Sequence, residues 1–164
     1  MIRILILTLL LLGGCASQAP LPVGTPDLQL PRQLHVQRVQ AGQSQDWLLI
    51  IQQESGGLRW SMMDPLGIPQ ARQRLIDGQW QADGLLPPNP EARELFAALL
   101  FAMTPEHELP ARYPSARQQG TLRRLDSRWQ VEFRSPEVFS LTLAPARDQP
   151  VHFNISPLSN GITP

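Results

Sequence analysis

From residue 33 onward, apolar positions come in short bursts separated by turn formers, a pattern of strands rather than of helices. Residues 34–39 predict a first strand. Residues 46–54 hold Trp47, Leu48, Leu49, Ile50 and Ile51, apolar on both faces, as in a central strand covered from either side. Ser55-Gly56-Gly57 predicts a hairpin turn into residues 58–62, where Leu58, Trp60 and Met62 alternate with Arg59 and Ser61. Asp64-Pro65-Leu66-Gly67 predicts a second turn, in which Pro65 presets φ and Gly67 is free to take positive φ. Asp77-Gly78, a strong short hairpin signal, joins residues 68–76 to 79–82. Further strands are predicted at 121–126, 128–134 and 138–143, with a last alternation of Val151, Phe153 and Ile155.

The period changes once, in the middle. Pro87-Pro88-Asn89-Pro90 ends the strand pattern, Asn89 is a capping residue and Pro90 suits a first helical position. Leu95, Phe96, Leu99, Leu100 and Met103 then recur at helical spacing up to Thr104-Pro105. Ala97, Ala98, Phe101 and Ala102 make this helix apolar nearly all round, so it is expected between the sheet and a second layer, or over a cavity. Residues 106–120, with Pro110, Pro114 and Gly120, read as an irregular connection.

About eight short antiparallel strands with one inserted apolar helix define the expected fold. It is mainly β with α: a curled antiparallel sheet, an incomplete β-barrel, with the apolar helix packed on its concave face. A closed barrel with the helix outside is the alternative.

The start of the chain has a different pattern. Arg3 precedes an almost unbroken apolar run over residues 4–12, and Leu12-Gly13-Gly14-Cys15 closes it with small residues before a cysteine. The run is short of the roughly 20 residues that span a bilayer, so it reads as a secretory signal, residues 1–14, rather than a membrane span. It resembles the bacterial lipobox, which implies lipidation of Cys15 and a body tethered through several acyl chains. Ala16-Ser17 lacks the aspartate that resembles an inner-membrane retention signal. The expected location is therefore the outer membrane, lipid-anchored on its periplasmic face. Residues 15–31, with Pro20, Pro22, Pro26, Pro31 and Gly24, are expected to form a flexible linker. A single domain follows at 32–157, then a tail at 158–164.

Composition narrows the partners. Fourteen cationic residues, all arginine, balance fourteen acidic ones, so no net basic field exists for nucleic acid. Cys15 is the sole cysteine, which leaves no intramolecular disulfide, cysteine-ligated metal or cysteine nucleophile. No cofactor is implied, and a monomer is expected.

Candidate chemistry is sparse. The chain holds no Gly-x-Ser-x-Gly elbow, His-Glu-x-x-His or phosphate-cradling glycine loop. His35, His107 and His152 are far apart and read as strand or loop residues. Glu106-His107-Glu108 alone is a weak metal signal. Asp64 and Asp77 read as turn residues, and the arginines as solvated faces of strands. Catalytic and metal roles are therefore assigned to no residue, and the chain is read as non-enzymatic. The large apolar side chains read first as core; the functional alternative is an acyl-chain cavity between sheet and helix. Its candidate lining is Trp47, Leu49, Ile51, Trp60, Met62, Phe96, Leu99, Leu100, Met103, Trp129, Val131 and Phe133.

Lipobox, curled sheet, apolar helix and the strand-Asp64-Pro65-Leu66-Gly67-strand hairpin together resemble the LolB/LolA superfamily of outer-membrane lipoprotein receptors and carriers. In the receptor, a leucine in an Asn-Pro-Leu-Gly turn is implicated in delivering lipoproteins to the membrane. Leu66 matches that leucine, and Asp64 stands where the receptor has asparagine. The chain is shorter than the receptor and is also similar to small lipoproteins accompanying polyene-lipid pigment gene clusters. The resemblance implies a specialised relative that binds acyl chains or a lipid-linked product and passes them to the membrane, with a periplasmic carrier protein as a further partner. The alternatives are a structural or assembly lipoprotein that binds a protein and, more distantly, a lipid- or glycan-acting enzyme.

Overall fold

The computed structural model describes residues 18–144 and 149–158. The signal segment 1–14, Cys15 and residues 159–164 of the expected tail lie outside the described residues. Ten strands form one antiparallel sheet: β1 (Arg32–Gln40), β2 (Gln43–Glu54), β3 (Gly57–Met63), β4 (Pro69–Ile76), β5 (Gln79–Ala82), β6 (Ala116–Gln119), β7 (Leu122–Leu125), β8 (Trp129–Ser135), β9 (Val138–Leu143) and β10 (Val151–Pro157). The spatial order is β5-β4-β3-β2-β1-β10-β9-β8-β7-β6. β5 and β6 are the two edges and do not pair with each other, so the sheet is curled but not closed. The closed-barrel alternative is thereby set aside.

Turn chemistry explains the register. Asp77 and Gly78 both take positive φ, 48° and 70°, the mirror-image turn that matches strand twist. Gly57 is needed for another reason: a Cβ there would lie 2.2 Å from the Leu75 carbonyl oxygen of β4.

Helix α1 (Pro90–Met103) has the expected bounds, with Asn89 Oδ1 accepting from the Ala92 amide at 3.0 Å. Every residue from Leu95 to Ala102 is buried. Alternate strand residues meet one side of it: Trp60 stacks on Phe96 at 5.3 Å between ring centroids, and Trp129 lies 5.8 Å from Phe101. On another side stands a short helix α2 (Leu109–Arg112), whose following Tyr113 meets Phe101 edge-on at 5.0 Å.

Four expectations are corrected. The strands number ten, and one of them, β6, lies within the supposed irregular connection. It carries no apolar alternation, and its order comes from pairing with β7 across the Gly120 turn. Among the described residues, no second layer covers the other face of β2. Trp47, Leu49 and Ile51 are buried in the same core as α1, whereas Leu48 and Ile50 on the outer face are only half-buried.

The third correction concerns the linker. From Gln18 to Pro31 the chain lies on the body: Leu28 is 3% exposed, and Ala19, Leu21 and Leu30 pack against the same core. The Val23 amide donates to the Arg112 carbonyl at 2.9 Å, and Arg112 Nη1 donates to the Val23 carbonyl at 2.8 Å. Proline-rich composition removed helix and strand options but left leucines able to insert between elements.

The fourth concerns the arginines. Arg123 on β7 is buried, its Nη1 donating to the carbonyls of Phe101, Ala102 and Thr104 at 3.0, 2.9 and 2.7 Å. No basic residue occupies the last turn of α1, so this distant guanidinium satisfies its free carbonyls.

Candidate functional site: an apolar tip on a locked turn

The turn between β3 and β4 is small and highly hydrogen-bonded. Asp64 Oδ1 accepts from the amides of Leu66 and Ile68, both at 2.9 Å. The Asp64 amide donates to the Ile68 carbonyl at 3.0 Å, and the Gly67 amide to the Asp64 carbonyl at 2.9 Å. Gly67 takes φ +82°, a conformation that side chains beyond glycine rarely adopt. A register shift between Met62 and Met63 lets Met63 face Pro69 at the base of the turn.

This backbone holds apolar side chains in water. Leu66 is 85% exposed and Ile68 54%. Among the described residues, the other large apolar side chains so exposed are Val23 and Leu85, neither on this turn. The turn thus displays two apolar side chains, Leu66 and Ile68, on one hydrogen-bonded backbone. Asp64 has the structural part expected of it, as the acceptor that organises the tip.

The proposed pocket lining is brought together, and it fills the space between sheet and helix with side chains. Leu49, Ile51, Trp60, Phe96, Leu99, Leu100 and Val131 are inaccessible to solvent, and Met62, Trp129 and Trp47 nearly so. Met103 and Phe133 are half-buried at the margin of this core. Trp80, absent from the expected lining, closes one side by meeting Trp60 and Phe96 at 5.9 and 6.0 Å. The indole nitrogens of Trp60 and Trp80 are buried without a hydrogen-bond partner among the described residues.

Two cavities open elsewhere. One of about 450 Å³ opens where Leu21, Pro22, Gly24 and Thr25 cross the hairpin turns 55–57 and 77–78, with Leu58 and Leu75 at its base. A second, of about 290 Å³, is on the outer sheet face among His35, Gln37, Arg134, Ser140 and Asn154.

The histidines separate. His35 Nε2 lies 2.7 Å from Asp46 Oδ1 on the outer face, both side chains about two-fifths exposed. His152 Nδ1 lies 3.1 Å from the Thr142 hydroxyl, and His107 is largely exposed. Among the described residues no hydroxyl hydrogen-bonds His35, and no three His, Cys, Asp or Glu side chains converge as a metal site would require. Glu108 is engaged instead with Arg112, Oε2 accepting from Nε at 2.9 Å.

Glu94 forms a polar cluster that sequence reasoning missed. Its carboxylate accepts from Arg128 Nε, Arg128 Nη2 and Trp129 Nε1, each at 2.7 Å. That carboxylate raises the pKa of Arg128 further above its ordinary value. Arg128 Nη1 also donates to the Gln18 carbonyl at 3.2 Å, which ties helix, β8 and the incoming chain at one point.

Fold and tip define a class: a single-sheet antiparallel domain with an apolar helix on its concave face and an apolar residue displayed on a rigid hairpin. Compared with protein-family models and with curated protein sequences, the chain matches none. No described helix is long and apolar enough to cross a membrane.

Proposed function

We propose that this is an outer-membrane lipoprotein of the LolB/LolA type, anchored through Cys15 on the periplasmic face, that receives acyl chains or a lipid-linked product and passes them to the membrane. It performs this without a catalytic group. The observation that carries the reading is Leu66, 85% exposed on a turn whose backbone is fixed by Asp64. Burying one such leucine in lipid contributes about 1.5–3 kcal/mol, enough to bias contact without trapping the body.

Acyl binding requires α1 to move off the sheet, since side chains fill the present interior. The contact is mostly apolar, so an acyl chain would replace apolar surface with apolar surface. Polar ties at the helix start, Arg38 to Glu91 at 2.6 Å and Arg128 to Glu94, are the bonds that such a movement must strain or break.

Two measurements test the proposal. Mass spectrometry of lipid extracted from a soluble version lacking Cys15 is expected to find acyl species. Leu66→Glu is expected to leave folding and binding intact and to reduce delivery to vesicles at least tenfold; undiminished delivery would remove Leu66 from the mechanism.

The packed interior favours a second reading, an assembly lipoprotein that binds a protein partner. An extract free of lipid, together with a stable partner captured by crosslinking in the intact envelope, would select it.

A further inference from the structure

We infer that the chain following the lipid anchor is a docked strap that turns one end of the sheet, the end bearing Leu66, toward the bilayer. The inference rests on the reading that Cys15 is lipidated and that the Leu66 turn meets the membrane.

The strap is fixed along its length. Gln18 is held by Arg128, Val23 by Arg112, and the Asp27 amide lies 3.3 Å from Glu108 Oε1. Leu28 is buried, and its carbonyl accepts from Arg32 Nε at 2.9 Å just as β1 begins. Only Ala16 and Ser17 separate Gln18 from Cys15. Three residue steps span at most about 11 Å, so the point where Gln18 docks stays close to the anchored lipid. A free linker of residues 15–31 would instead have reached on the order of 50 Å and set no orientation.

Strand direction then decides which end faces the membrane. Gln18 docks at Arg128, immediately before β8 begins at Trp129. Trp129 pairs with Leu143 at the end of β9, and Leu143 with Val151 at the start of β10. β10 pairs antiparallel with β1, and Val39 of β1 faces His152. The turn at 41–42 is thus at the same end, and so, after β2 runs away and β3 returns, is the turn at 64–67. The turns at 55–56 and 77–78 lie at the opposite end, which the strap reaches further along, where Leu21, Pro22, Gly24 and Thr25 line a cavity with them. The root of the tether and the displayed leucine share one end of the sheet, and the partner that fits this surface is the bilayer holding the protein's own anchor.

Single-cysteine labelling tests this, because lipidation consumes Cys15 and an introduced thiol is then unique. Full-length lipoprotein carrying Pro65→Cys or Ser55→Cys is labelled with an environment-sensitive fluorophore and reconstituted in phosphatidylethanolamine/phosphatidylglycerol vesicles containing nitroxide-labelled lipid. The label at residue 65 is expected to be quenched at least threefold more than that at residue 55. Twenty Gly/Ser residues inserted between Ser17 and Gln18 are expected to abolish most of that difference. Quenching at 65 that survives the insertion unchanged would show that Leu66 orients the body alone, overturning the strap's role and leaving membrane contact intact. Equal quenching at both positions would overturn the orientation. Absence of quenching at 65 with the native tether would remove the membrane-contact reading itself.

Discussion

An apolar side chain left in water by a hydrogen-bonded turn gains nothing from folding, and Leu66, 85% exposed, is such a residue. The turn depends on Asp64, whose Oδ1 accepts from two amides at 2.9 Å. Asp64→Ala removes both acceptors where water can replace them, so the expected loss of stability is small, about 1 kcal/mol. The larger expected effect is local: hydrogen exchange at the Leu66 and Ile68 amides rises at least tenfold, and delivery falls while lipid binding is retained. Arg123 shows the opposite balance. Its guanidinium is buried, and burial lowers its pKa, although the group stays charged because its ordinary value lies far above neutrality. Arg123→Met leaves three carbonyls at the end of α1 without this donor, and chemical denaturation is expected to show a loss of about 3 kcal/mol.

Among the elements, those whose ends carry local chemistry were legible. β5 and β9 begin and end where alternation and turn residues place them, and α1 starts at Pro90 because Asn89 and Pro90 have no better use there. β6 was not legible: of Ala-Arg-Gln-Gln only Ala116 packs against the core, and pairing with β7 makes it a strand. The order of the strap is hidden for a related reason, since it comes from the burial of Leu28 and from Arg112, which lies 84 residues beyond Leu28 along the chain. The turn that carries Leu66 was legible because Asp64, Pro65 and Gly67 specify it locally. Arg123 was not, because its acceptors belong to a helix about twenty residues away.

The strap also has a pH dependence. The Arg112 hydrogen bond, joined by the Asp27 amide, holds the Glu108 carboxyl below the usual carboxylate range. A folded-state pKa below the unfolded value means that the folded state binds fewer protons. The stabilisation is therefore present above the ordinary carboxylate pKa and is lost as pH falls through the lowered one. Exchange at the Asp27 and Val23 amides, after correction for the intrinsic pH dependence of exchange, is expected to rise on acidification through that window. Glu108→Gln is expected to raise it already at neutral pH and to flatten the pH dependence. A pH response unchanged in Glu108→Gln would assign the effect to another group.

At the scale of the whole molecule, the issue is whether an open sheet with a filled interior still functions as a carrier. Side chains from α1 fill the space between helix and sheet, and Phe96 is the clearest example, stacked on Trp60 and beside Trp80 under the β3–β5 side of the sheet. Phe96→Ala is expected to destabilise the fold by about 3–5 kcal/mol, the usual effect of truncating a buried phenylalanine. The same change empties volume that an acyl chain must otherwise win by moving the helix. If the sheet–helix space is the binding site, the wild-type protein binds a fluorescent fatty acid measurably and Phe96→Ala binds it at least tenfold more tightly, because less helix displacement is needed. Binding by the variant alone would mark only the engineered hole. Binding by neither protein would separate the packed interior from any ligand and leave the membrane-facing end as the functional surface, in keeping with an assembly role.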